Sequence, residues 1–149
     1  MSTTDREDLR EQLHDVLRTE TGATRVVRLC PRCGSAGHGR PRALGTPGLH
    51  VSLAYADGLG VVAWSHEGPV GVDVAVVGPP VGDFGDRRTW TRVEALLKAT
   101  GEGLSRDPAD LPDLPTADLA LPAGYVGTVA GTGVSWRAVL AGPPRTATG

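Results

Sequence analysis

The chain has 149 residues, of which 40% are apolar, and it carries 21 Gly, 12 Pro and a formal charge of −2. That length suits one domain with a real core and excludes two, and the Gly and Pro content implies short elements and many turns. The net acidity, with arginines not interleaved by aromatics, argues against nucleic-acid binding. Met1 to Glu20 is charged throughout, so no secretory leader is read there. No apolar run reaches the roughly 18 residues of a membrane span, and a cytoplasmic setting is the expectation.

The charge is unevenly spread. Residues 1–20 hold six acids and three arginines, whereas residues 25–42 hold Arg25, Arg28, Arg32, Arg40 and Arg42 and no acid. The second stretch is a local anion trap.

In chain order, residues 5–19 place Leu9, Leu13, Val16 and Leu17 on one stripe, with Asp5 as N-cap and Gly22 just past the end. This predicts an amphipathic helix. Residues 25–29 read as a short strand and residues 30–46 as a loop rich in Gly, Pro and Arg. Three strand-like runs follow, at 49–54, 60–65 and 70–77, separated by Asp57-Gly58 and Glu67-Gly68-Pro69. They predict an antiparallel meander. After a loop at 78–86, a helix is expected over 87–100, stopped by Gly101. Residues 108–122 lack periodicity, 124–130 and 133–140 read as a closing hairpin, and the tail 143–149 is expected to be disordered. The fold class is therefore α+β, an antiparallel sheet packed against a long helix.

Two places carry chemistry. Along 70–77, Val70, Val72, Val74 and Val76 point one way and Gly71, Asp73, Ala75 and Val77 the other, so Asp73 is the single charge in an apolar strand. On the helix, Trp90, Glu94 and Lys98 share a face by their four-residue spacing. A Glu and Lys so spaced often form no more than a solvated ion pair. If the helix covers the Asp73 face, however, Asp73 and Glu94 converge, and two carboxylates leaving room for water and phosphate suit Mg²⁺ better than zinc. Cys30 and Cys33 read as thiols or metal ligands rather than a disulfide. With His38, and His50 or His66, they form the alternative of a zinc-binding interaction module.

Cys30-Pro31-Arg32-Cys33-Gly34, His38-Gly39-Arg40-Pro41, His50-Val51-Ser52-Leu53, Gly71-Val72-Asp73-Val74 and the run from Trp90 to Leu104 occur in this order. Over about residues 26–140 the chain resembles the 4′-phosphopantetheinyl transferase superfamily. The resemblance implies a transferase-like lobe over residues 1–142, with a reduced N-terminal lobe over residues 1–45. It also implies transfer of the phosphopantetheine arm of coenzyme A to a serine of an acyl or peptidyl carrier protein, with Mg²⁺ and release of 3′,5′-ADP.

Residue by residue, the resemblance makes Asp73 and Glu94 the metal ligands and Glu94 and Lys98 the catalytic pair. Gly39, Arg40, Pro41, Ser52, Tyr55 and Lys98 become the coenzyme A contacts. Single-lobed relatives hold coenzyme A between subunits, so a homo-oligomer is expected.

The chain departs from the family pattern at five points, one of them the near-absent N-terminal half, reduced to one helix and a short strand, whose basic residues for the 3′-phosphate would be missing unless Arg25, Arg28 or Arg32 substitute. Ala54-Tyr55-Ala56 replaces Ser-His-Ser, Ala75 replaces a second strand acid, Val93 replaces a lysine, and residues 78–89 form a short connection. These departures keep a second reading in play, a relative that binds coenzyme A or a carrier protein without transfer.

Overall fold

The computed structural model describes residues 3–23, 25–29, 40–101 and 110–142. Helix α1 spans Thr3–Thr21, and strands β1 (Arg25–Leu29) and β2 (Arg40–Leu44) form an antiparallel pair. Strands β3 (His50–Ala56), β4 (Leu59–Ser65) and β8 (Ser135–Leu140) make one sheet in the order β3-β4-β8. Strands β5 (Gly71–Val76), β6 (Thr116–Asp118) and β7 (Tyr125–Ala130) make a second in the order β5-β7-β6. Helix α2 spans Arg87–Thr100. All the strand pairings are antiparallel, and the class is α+β. Among the described residues no helix is long and apolar enough to cross a membrane.

The layers follow from alternation. Ala54, Leu59, Val61 and Ala63 of the first sheet meet Val72, Val74 and Val129 of the second in a shared core, with Val70, just before β5, and Leu119 beside them. The opposite face of the first sheet, Val51, Leu53, Val62 and Trp64, is covered by Leu13 and Leu17 of α1. The opposite face of the second sheet is covered by α2, with Ala95 and Leu96 against Ala130. The order is thus helix, sheet, sheet, helix. Strand β4 is buried along its whole length, which explains its unbroken apolar run.

Leu9, Leu13 and Leu17 are fully buried, so α1 is held by its leucine stripe. Leu13→Ala is expected to cost about 2–5 kcal/mol, read as a lower urea midpoint at unchanged slope. The helix begins at Thr3, so Asp5 lies inside its first turn rather than capping it, where its charge favours the positive end of the dipole. It ends at Gly22, whose φ of 74° and N–H to the Arg18 carbonyl at 2.9 Å close the last turn.

Four expectations are corrected. Residues 40–44, read as loop, form β2, where Pro41 stands opposite Arg28; a two-stranded pair tolerates the missing N–H. Residues 116–118, inside a stretch read as aperiodic, form β6, which is too short to show a period. The third run does not continue a meander, because β5 leaves for the second sheet. Nor do β7 and β8 pair: the first binds β5 and β6, the second β4.

The last two corrections have one cause. The β4–β5 and β7–β8 connections both cross between sheets, side by side. Ser65 Oγ donates to the Thr132 carbonyl at 2.6 Å and accepts from Glu67 N at 3.0 Å. A Cβ on Gly131 would lie 2.7 Å from the Pro69 carbonyl oxygen, so only glycine lets the two connections pass. Residues 143–149, expected to be disordered, lie outside the described residues.

Candidate functional site

The ladders end at β3 in one sheet and β5 in the other, and these two strands lie beside each other. The described cross-seam ties come from side chains. Ser52 Oγ on β3 accepts the Val72 N–H of β5 at 3.1 Å. Lys98 of α2 reaches over the same seam, its Nζ 3.3 Å from the Leu53 carbonyl oxygen and 3.4 Å from Asp73 Oδ1.

Helix α2 is set above β5 by defined ends and one close approach. Asp86 caps it, accepting the Thr89 N–H at 2.7 Å, and that bond pulls the Asp86 carboxyl below its usual range. Gly101, at φ 75°, donates its N–H to the Lys98 carbonyl at 3.1 Å and terminates it. In between, Gly71 of β5 sits directly beneath Ala95 and Ala99 of the helix.

A polar row crosses the second sheet under α2. Register places Asp73 opposite Thr128 and Thr128 opposite Asp118. Each is met by a helix side chain: Lys98 at Asp73, Thr91 at Thr128 with hydroxyl oxygens 2.9 Å apart, and Arg88 at Asp118 at 2.5 Å. The helix therefore runs diagonally from β6 to the seam and delivers its C-terminal half to Asp73.

Asp73 is 14% exposed, and its carboxyl is pushed up to about 6. Burial is the main cause; Lys98 opposes it, while the negative charge of Glu94 adds to it. Glu94 is thus near enough for its charge to be felt at Asp73, while the described direct contact of Asp73 with α2 is to Lys98. A folded-state value above the unfolded one means that the stabilising effect of protonated Asp73 is complete below about pH 3.8 and lost as pH rises through about 6. Protonated Asp73 is then expected to contribute roughly 3 kcal/mol that wild type loses across that window, and Asp73→Asn to lose less there by about that amount. Urea unfolding of both proteins across the window checks this; parallel curves would contradict it.

The expected coenzyme A contacts are dispersed. Gly39 lies outside the described residues, with Cys30, Cys33 and His38. Arg40 is the first residue of β2, its backbone opposite Leu29. Pro41 lines a cleft of about 470 Å³ with Arg42, Gly45, Gly48 and His50. From His50 to Leu53, β3 spans roughly 10 Å, so the same strand joins the cleft to the seam. Ser52 is buried at 4% exposure. Tyr55 packs on the α1 side of β3, with the Arg6 guanidinium 4.7 Å from its ring centroid.

The departures also acquire places. Val93 is buried, but two residues from Thr91 and from Ala95 it lies on the far side of α2 from the face that rests on the sheet, and Ala75 is buried on the Asp73 face of β5. Trp64 is buried under α1 and Trp136 packs on the shared core, while Trp90 is half-buried outside the three apolar clusters of the described residues.

Sequence reasoning missed the Leu53 carbonyl, Thr91, Thr128, Arg88 and Asp118. Thr128, a polar residue inside an apolar strand, was the one visible signal.

Among the described residues, no group of three or more His, Cys, Asp or Glu is arranged to hold a metal. If a hard cation binds at this site, Asp73 and Glu94 would be its carboxylate donors: the Glu94 charge opposes ionisation of Asp73, and a cation that keeps several waters, such as Mg²⁺, would relieve that opposition. Neither a scan against protein-family models nor a search of curated proteins gives a match for the chain.

Proposed function

We propose that this protein transfers the 4′-phosphopantetheine arm of coenzyme A to a serine hydroxyl of an acyl or peptidyl carrier protein and releases 3′,5′-ADP. The observation that supports the reading is the meeting of Asp73 with Lys98 under the influence of Glu94, from a strand and a helix separated in sequence. These are the residues that the resemblance selects.

In this reading Asp73 and Glu94 hold Mg²⁺, which when bound neutralises diphosphate charge. Lys98 turns its ammonium from Asp73 to the phosphate oxygens. The carboxylate of Glu94 takes the proton of the carrier serine, whose oxygen forms the new bond to phosphorus. The bond from that phosphorus to the oxygen of 3′,5′-ADP breaks. Little covalent work falls to the protein, so positioning and charge neutralisation dominate. The cleft beside Pro41, Arg42 and His50 is the place for the anionic nucleotide end.

A second reading is a coenzyme A or carrier-protein binder without transfer. Ala75, where a further acid would stand, and Tyr55, packed toward α1, favour it. Release of 3′,5′-ADP separates the two. The transferase reading expects release that needs apo carrier protein and Mg²⁺ and stops with chelator; coenzyme A binding with no release from a panel of carriers supports the binder.

A further inference from the structure

We propose that Ser52 is a positioning residue for Asp73 rather than a coenzyme A contact. The inference rests on the reading of Asp73 as a cation ligand. Ser52 is 4% exposed, so its hydroxyl has little access to a ligand. That hydroxyl accepts the N–H of Val72, the residue before Asp73, at 3.1 Å across the β3–β5 seam. On its far edge β5 is held by a full ladder to β7, from Gly71–Ala130 to Val76–Tyr125. At the seam the described ties are this bond and the reach of Lys98 to the Leu53 carbonyl.

Both ties involve neighbouring residues on β3 and both end at Asp73 or beside it. Ser52 fixes the peptide that carries Asp73, while Leu53 and Asp73 share the ammonium of Lys98. A shift of β5 along or away from β3 would stretch both at once and change the approach of the carboxylate to Glu94 and Lys98. Ser52 thus acts on the site through the backbone of Val72.

The test uses the full chain with ¹³C-labelled Asp. Ser52→Ala is expected to raise amide exchange of Val72 about five- to tenfold and to move the Asp73 carboxyl resonance, with the other Asp resonances unchanged. Ser52→Thr, which keeps the hydroxyl, is expected to restore both. If the threonine methyl is not accommodated, the alanine variant and wild type alone decide, since Ser52→Ala adds no bulk. In the transfer assay Ser52→Ala is expected to lower kcat about tenfold at unchanged KM for coenzyme A.

An Asp73 resonance unmoved in Ser52→Ala would overturn the proposal, as would a raised KM at unchanged kcat. A moved resonance in a protein that transfers nothing would sustain the role of Ser52 and defeat the transferase reading instead.

Discussion

Gly71→Ala is expected to destabilise the protein by about 3 kcal/mol or more, at the upper end of what an added methyl costs in a packed interior. A Cβ on Gly71 would fall 1.9 Å from the Ala95 carbonyl oxygen and 2.7 Å from the Ala99 amide nitrogen. Both are backbone atoms of α2, so no rotamer change relieves the clash and the helix itself must lift. Glu94 and Lys98 stand on either side of Ala95, and Asp73 is two residues beyond Gly71. Lifting the helix therefore carries Glu94 and Lys98 away from Asp73 as well as opening the core. Gly60→Ala is the internal control. Its Cβ would meet Leu13 Cδ1 at 3.0 Å, the end of a flexible side chain, and the cost is expected to stay within about 1 kcal/mol. Urea unfolding of the two variants compares them directly; equal losses would contradict the assignment of Gly71 as the clamp between β5 and α2.

Glu94→Gln is expected to lower kcat/KM for transfer by about 10³-fold while leaving the urea midpoint near wild type. The magnitude follows from removing one preorganised charge from a phosphoryl-transfer site. It is larger than for a remote contact because in the proposed mechanism the same carboxylate holds the cation and accepts the serine proton. The stability expectation follows from position: Glu94 is half-buried and its charge works against ionised Asp73, so neutralising it removes a repulsion. A variant that loses activity and stability together would point to a structural role for Glu94 instead.

The elements nearest the site were the most legible. Alternation over 70–74 separates the core-facing Val70, Val72 and Val74 from Gly71 and Asp73, and the structure buries the first group between the sheets. The extent of α2 agrees with the sequence reading, from the end of the Gly/Pro/Asp loop to Gly101. Periodicity reports which face of an element is apolar and is silent on which neighbour covers it. For that reason the division into two sheets was not legible: it depends on Gly131 passing Pro69 and on Ser65 tying the two connections, contacts between residues far apart in sequence.

Strand β6, three residues long, owes its place to the β7 edge that it joins. Within the site, Asp73, Glu94 and Lys98 announce themselves as charges in defined places; the expected convergence was of Asp73 with Glu94, whereas the described contact of Asp73 is with Lys98, one turn further along the helix. The Leu53 carbonyl carries no side-chain signal, and Ser52 reads equally as a ligand contact or a tie between strands. Tyr55 shows the limit of pattern matching: strand parity turns it to the α1 side, where Arg6 covers its ring.

The intact mass of apo carrier proteins after incubation with this protein, coenzyme A and Mg²⁺, with Glu94→Gln in parallel, tests the central claim most directly. The account predicts a mass increase of one phosphopantetheine on at least one carrier with wild type and, over the same incubation time, only a small fraction of it with the variant. Unmodified carriers throughout, with coenzyme A still bound by the protein, would contradict it and leave Ala75 and Tyr55 as marks of a binder that transfers nothing.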